Sequence, residues 1–158
     1  MRRQEMKKAV TYLSALFFPL GAMMFNACGL VELNKSENGN LDGYWHLVTV
    51  DTLSTGGTTD LRRERCFWTV QGTLFQLYSP DWQDGQRYVS LFAYENNRLV
   101  LSDIRESDRM NGDPLVEDVD RIRPYGINSL QETFVVEELK GSRMVLCGDL
   151  LRLRFRKM

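Results

Sequence analysis

The chain has 158 residues, 43% of them hydrophobic and 26% charged, with a net charge of −1. That balance lacks the basic face that nucleic-acid binding requires. One histidine and three cysteines leave few ligands for a metal centre and few groups for acid–base chemistry.

Arg2, Arg3, Lys7 and Lys8 open the chain against a single acid, Glu5, and residues 9–27 then carry no charge. A basic segment followed by an apolar one is the layout of a secretory signal. Met6 offers a second start with the same layout, and either start gives the same mature protein. A transmembrane anchor is the competing reading, but Pro19 and Gly21 interrupt a run that falls slightly short of the roughly 20 apolar residues of a spanning helix.

Phe25-Asn26-Ala27-Cys28 resembles the lipobox of bacterial lipoproteins, with Ala27 as the small residue before the cysteine and Phe25 where leucine is usual. The resemblance implies that Cys28 becomes the first mature residue and carries acyl chains. Each buried CH₂ then adds about 0.8 kcal/mol, so several chains hold a soluble domain on a membrane. An ordinary signal peptide with a cysteine nearby is the alternative. The expected division is a removed signal peptide (1–27), a lipidated flexible tether (28–40) and a folded domain (41–158). The tether is rich in polar and turn residues, although Leu30–Leu33 also fits a first edge strand. The signal carries +3, which leaves −4 on the remaining 131 residues, enough chain for one domain with a real core. Cys66 and Cys147 either pair in an oxidising compartment or are separate small buried residues.

From Leu41 onward the chain reads as short β runs: residues 44–51, 65–71, 73–79, 87–95, 98–102, 132–139, 143–147 and 150–156. Gln71-Gly72, Pro80-Asp81, Asp84-Gly85, Glu95-Asn96-Asn97, Lys140-Gly141 and Gly148-Asp149 punctuate them at hairpin length. Eight strands so joined predict a mainly β fold, an antiparallel meander closed into a barrel. The last run alternates Leu151, Leu153 and Phe155 with Arg152, Arg154 and Arg156, an apolar face against the core and a cationic one outside. That arginine stripe is either a plain solvated face or a site for an anionic partner.

One segment departs from the β pattern. Asp113 suits an N-cap, Pro114 a first helical position, and Leu115, Val119 and Ile122 fall at helical spacing, with acids early and Arg121 and Arg123 late. The pattern predicts one short helix between the fifth and sixth strands, over a barrel mouth or against the barrel's outside. The acids there lack the order of a calcium loop.

Gly43-Tyr44-Trp45, at the start of the first strand, resembles the Gly-x-Trp signature of lipocalins and of lipocalin-like bacterial lipoproteins. The resemblance implies an eight-stranded barrel in which Gly43 and Trp45 form the base and one of Arg152, Arg154 or Arg156 packs across the indole. It also implies that a small apolar ligand lies in the barrel. Trp68, Phe75, Tyr88, Phe92 and Tyr94 are the candidate lining residues, and each is equally a core residue. His46 neighbours Trp45 and faces the other way. Cys66 has no second histidine to activate it, so no enzyme, cofactor or metal is expected.

The expected function is that of a membrane-anchored lipoprotein binding a small hydrophobic ligand. The alternative is a solid barrel that docks on another envelope protein. The expected location is the cell envelope, more on the outer membrane than the inner, with the domain in the periplasm or at the cell surface.

Overall fold

The computed structural model describes residues 36–158. The signal peptide, Cys28 and the Leu30–Leu33 alternative lie outside the described residues. Nine strands follow in chain order: β1 (Gly43–Thr52), β2 (Thr58–Asp60), β3 (Phe67–Gln71), β4 (Leu74–Tyr78), β5 (Arg87–Glu95), β6 (Arg98–Glu106), β7 (Glu132–Lys140), β8 (Arg143–Cys147) and β9 (Leu151–Lys157). From β3 onward each strand pairs antiparallel with the next, and β1 pairs with both β3 and β9. The eight strands other than β2 therefore close into a barrel. The far half of β1, at Thr49–Asp51, instead carries β2 as a short flap. Sequence pattern missed β2 because its Thr-Thr-Asp has no apolar alternation.

The turn chemistry places the strands. Asn96 and Asn97 both take positive φ (51° and 58°), the conformation of a two-residue hairpin turn, and join β5 to β6. β9 alternates as read, with Leu153 and Phe155 inward, and β7 alternates too, with Phe134 and Val136 inward. Arg152 and Arg154 point outward, and each holds an acid on another strand: Arg152 reaches Glu137 on β7, across β8, and Arg154 reaches Asp51 on the neighbouring β1.

The base closes on Trp45. Its indole N–H donates to the Leu41 carbonyl at 2.8 Å, and both residues are fully buried. The cation over the ring is Lys157, 4.8 Å from its centroid, and not one of the three arginines. Register explains the correction: Lys157 lies directly opposite Trp45, whereas the arginines occupy the outer parity of β9. Gly43 is required beside it, because φ is +152° and a Cβ there would collide with the Lys157 side chain. Within the stretch read as tether, the Asn38 amide donates to Asp42 and to the Gly72 carbonyl, and Lys157 donates to the Asn40 carbonyl.

The predicted helix is absent from residues 107–131. Three isolated 3₁₀ turns stand there instead: Arg109–Asn111, Val119–Arg121 and Arg123–Tyr125. Asp113 takes φ +49° rather than a capping conformation, and Pro114–Val116 run extended along β6. Pairing to a free strand edge outweighs the weak local helical preference. The rest of the segment enters the mouth, where Ile122, Tyr125 and Ile127 are buried. The Trp68 indole donates to the Tyr125 carbonyl at 3.1 Å, which fastens the plug to the barrel wall. The described core lies wholly between Leu41 and Phe155, and Ser36–Met158 forms a compact unit by itself.

Candidate functional site

The barrel axis is occupied by side chains. Trp68 sits edge-on to Phe75 (5.3 Å) and Phe134 (5.7 Å) and 4.8 Å from Phe155. Tyr125 of the plug meets Tyr88 at 5.8 Å and Trp82 at 5.4 Å. Of the five candidate lining residues, Trp68, Phe75 and Tyr88 are fully buried within this packing, and Phe92 and Tyr94 are half-buried against it. Such edge-to-face pairs add about 0.5–1.5 kcal/mol each beyond burial. All five residues lie in or against the barrel core.

Among the described residues, a space of ligand size lies beside the barrel. The last β6–β7 pair is Leu101 with Glu132. Beyond it, β6 continues to Glu106 with its free edge taken up by the plug: Val116 N–H donates to the Ile104 carbonyl at 2.8 Å and Glu106 N–H to the Pro114 carbonyl at 2.9 Å. Between those two pairings lies a cleft of about 450 Å³, bounded by Ser102, Asp103, Ile104, Leu115, Val116, Glu117, Leu130 and Gln131. Ile104 and Val116 form a buried apolar floor, and Leu115 (49% exposed) and Leu130 (40%) stand as walls. Ser102, Gln131 and the carboxylates of Asp103 and Glu117 supply polar groups at the rim.

A β-bulge builds that floor. Asp103 and Ile104 together oppose Ser90, and Asp103 takes a left-handed φ of 56°, which Asp tolerates better than most residues. The extra residue shifts the side-chain parity, so Asp103 faces solvent while Ile104 turns inward. The Ser90 hydroxyl donates to the Ser102 carbonyl at 2.8 Å, beside the bulge. The opposite wall is fixed by Glu132, which accepts the Asn128 N–H at 2.8 Å. Burial raises the Glu132 carboxyl above the ordinary range, while the loop N–H groups pull it back down.

A larger concavity, at Asp60–Glu64, is lined only by charged side chains and has no apolar floor. His46 is on the outer face of β1, as read, but it is covered and not free: its ring lies under the β2–β3 connection and bonds the Glu64 carbonyl. Cys66 and Cys147 are both free thiols. Burial pushes the Cys66 thiol strongly up and keeps it protonated. Among the described residues no cluster of three or more His, Cys, Asp or Glu side chains is placed to hold a metal. The cleft residues were not singled out by sequence, since Leu115 and Val116 read as helix and the bulge at Asp103 read as the end of a strand.

A closed antiparallel barrel, with a Gly-x-Trp base and a cation stacked on that tryptophan, defines a lipocalin-type barrel. The model of the lipocalin-like domain family matches residues 23–158, and the chain belongs to that family. Two solved structures share the fold. A lipocalin-like protein from Bacteroides uniformis has a TM-score of 0.57 and 20% identity, over 76% of this chain and 100% of that one. An uncharacterized protein from Bacteroides eggerthii has a TM-score of 0.57 and 18% identity, over 74% of this chain and 98% of that one. No curated protein matches the chain.

Proposed function

We propose that this is a lipid-anchored envelope protein whose lipocalin-like barrel binds a small apolar or amphipathic molecule in the cleft beside β6. The observation that carries the reading is the contrast between a barrel axis filled by aromatic side chains and a cleft of about 450 Å³ with an apolar floor and polar rim. Ligand sites commonly have that size and that mixture. Anchoring rests on Phe25-Asn26-Ala27-Cys28 and the leader before it, and it puts the domain in the cell envelope, on the outer membrane in preference to the inner. No catalytic role is proposed, since the buried Cys66 thiol is held protonated and His46 is engaged elsewhere.

The second reading, docking on another envelope protein, draws on Leu74 and Leu91. Both are exposed around a smaller concavity on the other side of Asp103.

Native mass spectrometry of residues 36–158, purified gently from an envelope-forming bacterial host, separates the two. The expected result is a discrete added mass that organic extraction removes and that Leu115→Arg and Leu130→Arg both abolish. A bare polypeptide mass overturns the cleft reading and favours docking, and an adduct that survives in both variants overturns it by placing the bound molecule elsewhere.

A further inference from the structure

We infer a second binding site, for a single oxyanion of the phosphate class, on the outer face of β1 and β9, formed by His46, Arg156 and Arg62. A concavity of about 200 Å³ is lined by these three residues and Val48. His46 and Arg156 lie directly opposite each other across the β1–β9 pair.

His46 is only 8% exposed, and its Nε2 lies 2.7 Å from the Glu64 carbonyl oxygen. A carbonyl only accepts, so Nε2 carries a proton and Nδ1 is left as an acceptor, suited to the O–H of a hydrogen phosphate or of a headgroup hydroxyl rather than to a bare anionic oxygen. Arg62 is held by Asp60, to which Nε and Nη2 donate, so its charge is offset and Nη1 is the group left to donate to a ligand. That pairing holds the Asp60 carboxyl at about 2, so the clamp persists at neutral pH. Arg156 differs from its neighbours on the stripe. Arg152 and Arg154 are neutralised by Glu137 and Asp51, and Arg143 by Glu138, whereas Arg156 has no carboxylate partner among the described residues. One unpaired guanidinium, one guanidinium fixed by its own acid and one buried imidazole thus line the same small space. Guanidinium forks match phosphate oxygens, and charge-assisted bonds of this kind are the strong ones.

On the barrel ring β1 lies four strands from β6 and β9 three, so the site is separate from the cleft. His46 lies three residues along β1 from Gly43, where the chain enters the barrel. Phosphate chemistry there has two sources, a free phosphate ion or the headgroup of an anionic phospholipid.

The test uses residues 36–158, titrated with inorganic phosphate while the His46 ring resonances are followed by NMR, and separately sedimented with phosphatidylglycerol or phosphatidylcholine vesicles. Saturable movement of the His46 resonances is expected, with affinity reduced about tenfold in Arg156→Gln, the loss of one charge-assisted hydrogen bond. Arg154→Gln, on the same stripe but paired to Asp51, is expected to bind as the parent does. Sedimentation with phosphatidylglycerol alone, lost in Arg156→Gln, identifies the headgroup as the source, and phosphate binding without sedimentation identifies the free ion. Equal loss in Arg156→Gln and Arg154→Gln reduces the site to general surface charge and overturns it, as does the absence of saturable binding in both assays. Neither outcome depends on an adduct in the cleft.

Discussion

Lys157 combines three contacts in one side chain. Its stem fills the space above Gly43, its ammonium lies over the Trp45 ring, and it donates to the Asn40 carbonyl at 3.1 Å. Lys157→Met keeps the stem and removes the charge, so urea unfolding should show a loss of about 0.5–1 kcal/mol, the worth of a partly exposed cation–π contact. Glu132 provides a pH signature. Its carboxyl is raised in the folded state by burial, so the folded chain binds a proton more readily than the unfolded one. Stability should therefore fall as pH rises from the unfolded carboxylate value, about 4.3, through the raised folded value, and level off above it. In Glu132→Gln, urea midpoints measured across that window should lose this slope. Gly43 and Trp45 were legible in the sequence because a short motif carries them. The partner of Trp45 was not, since one residue of register decides whether Lys157 or an arginine reaches the ring.

At the level of elements, turn residues made the strands readable. β5 and β8 fall where Gly, Asn and Asp punctuation put them, and the others shift by a few residues at their ends. The connection from β6 to β7 was misread because its acids and spaced aliphatics satisfy a helical pattern, while the free edge of β6 that captures Pro114–Val116 exists only in three dimensions. The cleft was illegible for the same reason, as it needs both the Asp103 bulge and the departure of β7. Gly126 tests how firmly the plug is seated. Its φ is +88°, and a Cβ would approach Leu153 Cδ2 at 2.7 Å. Gly126→Ala combines left-handed strain with overpacking, and the thermal or urea midpoint should report a loss of about 1–3 kcal/mol. Tryptophan fluorescence should change with it, because Trp68 and Trp82 both contact Tyr125.

For the whole molecule, closure is the dominant constraint. The first and last strands of the barrel are neighbours, and the Arg154–Asp51 pair joins residues 103 positions apart. Barrels built on such distant pairings fold more slowly than chains rich in local contacts. The arrangement also sets an order of events during synthesis. At ribosomal speeds β9 is made roughly 5–20 s after β1. Throughout that interval the edge of β1 that β9 will cover is open to any other strand, including one from a second nascent copy. The closed barrel ends that exposure only when β9 has docked on β1, so the chain is most prone to aggregate before closure.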